Sequence, residues 1–330
     1  MANPVFGSGK FKFQVVEDFF KRPRKWSYID VADVAVDKDD NVYVFNRSPH
    51  PIMVFDKLGN FLDAWGEIGV HFAIPHGITI APNGDVLTAD TGDHTVRRWT
   101  KEGKLLLTLG QPNQNTPEQS GLPFNKPTHL AVAPNDDYYA TDGYGNSHVH
   151  CFDPYGKLKF SWGGHGSAPG QFDCIHSIFI DYLDGNKLYI SDRYNNRVQI
   201  FTPTGEFLGQ WTGLLLANSV RRGPSGNFYV AELYHRITIV DPKGVVLARW
   251  GDDAEVDSSD PTYGSVLPTS LAKTIPIIGR VRHEPGAGLF AAPHGIAVDS
   301  QGSFYVAEVS ESYTGLDRGS RNIQKFIQVK

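Results

Sequence analysis

Hydrophobic and polar positions along this chain alternate in short runs, and the runs come in groups of four. One group reads His76-Gly77-Ile78-Thr79-Ile80, then Asp85-Val86-Leu87-Thr88-Ala89-Asp90, then Thr95-Val96-Arg97-Arg98-Trp99, then Lys104-Leu105-Leu106-Leu107-Thr108-Leu109. Each run has the length of a strand, and turn formers separate them at Pro82-Asn83-Gly84 and Lys101-Glu102-Gly103. The group recurs with a period of about 40 residues, over 31–66, 71–110, 124–163, 172–211, 215–251 and 290–329. Four antiparallel strands per repeat and six repeats predict an all-β chain, a six-bladed β-propeller forming one domain over 1–330.

The last repeat shows three strands before the sequence ends at Lys330. Gly9-Lys10-Phe11-Lys12-Phe13 matches the start of a fourth strand, Gly156-Lys157-Leu158-Lys159-Phe160. A strand over 9–16 is therefore expected to complete the last blade and close the ring. Closure leaves no exposed sheet edge to template aggregation. Residues 111–123, 164–171 and 252–289 fit no strand pattern. Each joins the outer strand of one blade to the inner strand of the next, on the face where inner strands begin and second strands end. Long loops in a compact domain are usually functional. The insertion 252–289, with Tyr263, Arg280, Arg282, His283 and Glu284, is expected to border the channel and set substrate size.

Composition narrows the class of partner. A net charge of -5 without a basic tract argues against nucleic acid. No apolar run reaches membrane-spanning length, and the N-terminus lacks a signal pattern, so a cytoplasmic protein is expected. Two cysteines, Cys151 and Cys174, give no disulfide framework.

Aligned at the start of the inner strand, the six copies read Ala32, His76, Thr128, His176, Asn218 and His294. Histidines in alternate blades of a closed ring converge on its axis, and three imidazoles with one side open make a catalytic metal site. Zinc suits such a donor set best, with iron(II) or manganese(II) as alternatives. The plainer reading is a water-filled polar channel. The other nine histidines match no shared position and read as ordinary surface or core residues.

The second strands end in Asn46, Asp90, Asp142, Asp192, Glu232 and Glu308. An acid in five blades of six points to structure, a carboxylate satisfying backbone N–H groups at blade junctions. Arg47 and Arg193 follow in two blades only, and an arginine facing the channel can hold a carboxylate in a bidentate fork; a salt bridge to a neighbouring acid is the rival role. Arg197 belongs to the repeat pattern and reads as structural. Tyr144, in the third blade, can serve as a general base if nearby positive charge favours the phenolate. Tyr194 and Tyr234 share its position, so the pattern alone does not select it.

The stretch Asp192-Arg193-Tyr194-Asn195-Asn196-Arg197-Val198-Gln199-Ile200-Phe201 resembles the NHL repeat. Beyond the repeat, the chain resembles the peptidyl-α-hydroxyglycine α-amidating lyase family. The resemblance lies in Phe45-Asn46-Arg47, Pro75-His76-Gly77, Pro127-Thr128, Asp142-Gly143-Tyr144-Gly145-Asn146-Ser147, His176-Ser177, Ser191-Asp192-Arg193 and Pro293-His294. It implies that His76, His176 and His294 bind zinc, that Tyr144 is the base, and that Arg47 and Arg193 assist the substrate and its hydroxyl. The implied reaction cleaves the C–N bond of an N-substituted α-hydroxy acid, giving an amide and a glyoxylate-like product. The family also implies a structural calcium, held by an aspartate after the last histidine and by backbone carbonyls matching Val34 and Ile78. Here that aspartate position is Gly295, and Asp33 of the first blade is the candidate to replace it. Secreted members carry disulfides where this chain has Asn125, Gly145, Tyr189 and Ile200. Their absence agrees with a reducing compartment, and with a small hydroxylated metabolite in place of a secreted peptide. Two rivals remain: a metal-dependent hydrolase such as a lactonase, and a non-catalytic NHL interaction scaffold.

Overall fold

In a computed structural model, which describes residues 4–251 and 285–329, the repeats form six antiparallel sheets. Their innermost strands are Val31–Val36, Pro75–Ile80, His129–Val132, Ile175–Asp181, Ala217–Arg222 and Pro293–Val298. Each abuts the next, and the sixth abuts the first, so the ring is closed. The expectation for 252–289 falls outside the described residues up to 284, and Tyr263, Arg280, Arg282, His283 and Glu284 with it. No helix among the described residues is long and apolar enough to cross a membrane.

The hydrophobic pattern explains the layering. The inner strands are buried on both faces, whereas outer strands such as Phe61–Trp65 and Leu158–Gly163 are half exposed. Most apolar side chains gather in six clusters, one per seam between neighbouring blades, and a small seventh joins Ala32, Leu233, Ala292 and Val309. The axis is left for polar groups.

The N-terminal strand closes the ring as expected. Phe11–Val16 pairs antiparallel with Ile323–Gln328 as the fourth strand of blade six, Phe13 opposite Gln328. A short strand, Phe6–Ser8, adds a fifth. Phe13 is fully buried against Tyr229, Trp250 and Phe304. Burying one such ring contributes about 2–3 kcal/mol.

The acids that end the second strands are structural. Asp90 accepts N–H bonds from Ala73 and Ile74, Asp142 from Asn125, Asp192 from Asp173, and Glu308 from Ala291 and Ala292. Each carboxylate thus ties down the chain entering its own inner strand. Arg197 is structural too, bridging Asp192 at 2.7 Å. Blade six departs from the pattern between its second and third strands. There, residues 309–322 form a cap with a short helix, Ser310–Thr314, where blade two uses four residues.

Candidate metal centre

The inner strands share one irregularity. Pairing with the second strand slips by one residue between Pro75 and Gly77, between Ile175 and Ser177, and between Pro293 and Gly295. The residue left over is His76, His176 or His294. A bulge of this kind re-aims a side chain and frees its backbone from the ladder. The same slip occurs at Ala32 and Asn218.

The bulges bring the three imidazoles together on the axis. Their ring centroids lie 4.7, 4.8 and 4.4 Å apart, and one ligand nitrogen from each lies within 4.8 Å of the others. All three residues are buried. Each donates its Nδ1–H to a carbonyl of the following blade: His76 to Thr128 at 2.7 Å, His176 to Asn218 at 3.0 Å, and His294 to Ala32 at 2.5 Å. The acceptors are the odd-blade members of the same aligned position. A carbonyl only accepts, so each proton is fixed on Nδ1 and each Nε2 lone pair faces inward. Burial, followed by the charges of neighbouring histidines and arginines, holds His76 and His176 well below the usual imidazole range. His294 is lowered to about 3, chiefly by burial and then by Arg47.

Among the described residues, Tyr144 is the tyrosine whose hydroxyl reaches this point. Its Oη lies 3.0 Å from His76 Nε2, 3.2 Å from His176 Nε2 and 3.4 Å from Arg193 Nη1. One O–H proton can serve one acceptor at a time, and among the described residues His294 Nε2 has no partner. Three buried lone pairs therefore share one hydrogen, a mismatch that a cation would resolve. The donor set fits zinc: three neutral nitrogens, each held from behind, with a side left open. Burial raises the Tyr144 hydroxyl well above the ordinary phenol range, and Arg193 only partly opposes this. The lowered pKa expected of a base is thus not supplied by the protein's own groups.

The two arginines differ. Arg47 is an ion-pair partner of Asp30 at 2.9 Å and also donates to Ser312 Oγ at 3.1 Å. Arg193 is fully buried, and among the described residues it has no carboxylate partner. Its guanidinium donates to Tyr144, to Tyr313 at 3.2 Å and to Tyr194 at 3.0 Å, and packs over the rings of Tyr144 and Tyr194. Ser312 and Tyr313 belong to the blade-six cap, so residues 309–322 touch both arginines. Sequence reasoning missed them, although the long gap between Glu308 and the final strand was a visible signal.

Gly143 places Tyr144. A Cβ there would lie 1.6 Å from the Ile175 carbonyl oxygen, beside His176. Gly143→Ala is expected to cost about 1–3 kcal/mol through overpacking, read by thermal unfolding, and to lower metal affinity by prying Tyr144 and His176 apart. An unshifted midpoint with normal affinity would show that this junction is loose.

The candidate calcium residues lie one residue (Asp33) or two (Val34, Ile78) further along the same strands. Asp33 Oδ1 accepts from Val34 N at 2.9 Å, and Oδ2 accepts from Ile78 N at 3.0 Å. His129 Nε2 stands 3.1 Å from Oδ2, and Arg221 Nη2 stands 3.9 Å from it. His129, set aside on sequence grounds as ordinary, is therefore an axial residue.

The closed ring of six antiparallel sheets is a six-bladed β-propeller, and the NHL repeat matches it at residues 72–99 and 124–152. The chain is similar to human NHL repeat-containing protein 3, at 29% identity over 313 residues, covering 89% of this chain and 78% of that protein. It is also similar to a probable peptidyl-alpha-hydroxyglycine alpha-amidating lyase of Caenorhabditis elegans, at 36% identity over 187 residues, covering 56% of this chain and 51% of that one. Among solved structures, a streptogramin B lyase superimposes with a TM-score of 0.58 at 15% identity, over 96% of this chain and 98% of that one, a likeness of fold alone.

Proposed function

We propose that this propeller is a metal-dependent lyase acting on an N-substituted α-hydroxy acid, a carbinolamide of the peptidyl-α-hydroxyglycine kind. The carrying observation is Arg193: a fully buried guanidinium without an acid partner among the described residues, next to three inward-facing imidazole nitrogens. A buried unpaired charge is costly to keep, and a substrate carboxylate would satisfy it. The similarity to the nematode lyase supports the same chemistry.

His76, His176 and His294 would hold the ion through Nε2. Zinc is favoured, with iron(II) or manganese(II) as alternatives. Bound there, the ion supplies a Lewis acid that acidifies the substrate hydroxyl and adds the positive charge the Tyr144 phenolate needs. Tyr144 Oη takes the hydroxyl proton, the electron pair of that O–H bond forms the new C=O, and the C–N bond breaks. The departing nitrogen recovers the proton, so the products are an amide and a glyoxylate-like acid with nothing else consumed. Arg193 and Arg47 orient the carboxylate and stabilise the charge that develops. Cys151 and Cys174 are both buried free thiols, which supports a reducing, cytoplasmic setting and a small hydroxylated metabolite as the substrate.

The test pairs metal analysis with turnover of α-hydroxyhippurate, followed by glyoxylate release. About one equivalent of zinc together with glyoxylate is expected. Calcium alone would favour a lactonase, and neither metal nor turnover would leave a scaffold. Arg193→Met separates binding from folding. It is expected to lower kcat/KM by about 2–5 kcal/mol in transition-state terms while raising unfolding stability by about 1–2 kcal/mol. Lost stability with normal kcat/KM would instead make Arg193 a structural residue.

A further inference from the structure

Below the histidines, the next position of each inner strand reads Asp33, Gly77, His129, Ser177, Ser219 and Gly295 around the ring. Asp33 and His129 meet at this level, and glycines in two other blades make room for them. A Cβ on Gly295 would lie 2.2 Å from Asp33 Oδ1, and one on Gly77 would lie 2.6 Å from His129 Cδ2. An aspartate at 295 and the present Asp33 therefore exclude each other. From blade five Arg221 reaches the same point, with Nη1 on the Val220 carbonyl at 2.8 Å and Nη2 3.1 Å from His129 Nε2.

This cluster does not fit calcium. Calcium takes six to eight oxygen ligands, most of them free to turn toward it. Among the residues lining the small axial cavity around the triad, Asp33 is the one carboxylate. Both of its oxygens already accept backbone N–H groups, and a guanidinium stands 3.9 Å away. Asp33 and Arg221 bring one negative and one positive charge to the cluster. A dication would add to a site already balanced and would face Arg221 across the same carboxylate.

We infer that the Arg221 guanidinium is the propeller's own axial cation, standing where the family's calcium would stand, and that the fold is calcium-independent. Asp33, His129 and Arg221 then pin blades one, three and five to one another through side chains, and blade two through the Ile78 N–H on Asp33. Arginine suits the role because its charge is permanent and its planar fork can meet several acceptors. The inference is independent of the lyase reading, since it concerns stability and not turnover.

The test uses the full chain saturated with zinc. After gel filtration in calcium-containing buffer it is expected to carry no stoichiometric calcium, and its melting midpoint is expected to stay fixed on addition of about 1 mM calcium. One bound calcium, or a midpoint raised by calcium, overturns the inference. Arg221→Met keeps the length of the side chain and removes its charge. It is expected to lower the midpoint by about 5–10 °C, because Asp33 is left buried and unpaired. If that protein does not fold, Asp33→Asn combined with Arg221→Met, which removes both charges, is expected to restore folding. An Arg221→Met protein that melts with the wild type would also overturn the inference.

Discussion

His176→Ala is expected to yield a folded propeller that has lost most of its metal and, with it, its turnover. The ring centroids of the three histidines lie within 4.8 Å of one another, and each ring is keyed to a separate carbonyl. Removing one leaves two ligands where zinc needs three from the protein. The fold survives because the triad lies on the polar axis, away from the apolar seams. The stability cost is about 1–3 kcal/mol, for an Asn218 carbonyl left without its donor. Metal content by atomic emission and the far-ultraviolet spectrum check the two halves of this statement. Full metal retention would remove His176 from the site.

The same histidines give the metal-free protein a pH signature. Their folded pKa values lie below the free value of 6.5, with His294 at about 3. Between those limits the unfolded chain binds protons that the folded chain refuses. Stability is therefore fully present above 6.5 and falls with decreasing pH, by about 1.4 kcal/mol per pH unit for each such histidine. Bound metal would extend the stable range downward, because it competes with the same protons.

Tyr144→Phe is expected to lower turnover by a factor of about 10²–10⁴ while metal content stays near normal. Among the described residues, the substitution removes the one hydroxyl that approaches His76, His176 and Arg193 together, and no ligand nitrogen. Tyr194→Phe is the control. Its hydroxyl contacts Arg193 at 3.0 Å, so the change should raise KM more than it lowers kcat. The reverse pattern, with Tyr194 essential and Tyr144 dispensable, would move the base one blade along. A metal-depleted Tyr144→Phe protein would make the phenol a ligand.

The ring was legible in the sequence because burial on both faces of short strands, punctuated by turns, repeats six times. The histidines were legible because they occupy alternate copies of one position. The residues that make them work were not, because Thr128, Asn218 and Ala32 act through main-chain carbonyls and leave no side-chain signature. The repeat position left Tyr144, Tyr194 and Tyr234 equal; in the structure the Tyr144 hydroxyl is the one beside the imidazoles. The difference between Arg47 and Arg193 depends on Asp30, which lies outside the repeat unit's second strand, and on a cap within blade six. Arg221 and His129 were invisible for a related reason. Each looks like a lone polar residue in its own strand, and only closure of the ring brings them to Asp33.

The Nδ1–H of His294 crosses from the last blade to the Ala32 carbonyl of the first. The two ends of the chain meet beside that seam, within blade six, where Phe11–Val16 pairs with Ile323–Gln328. The imidazole cluster is thereby a gauge of circumference. Two of its keys lie between blades continuous in sequence, and the third spans the join. Slack admitted at the N-terminal strand would reach the axis as a displaced His294, so ion affinity should report an opening ring before any strand has melted.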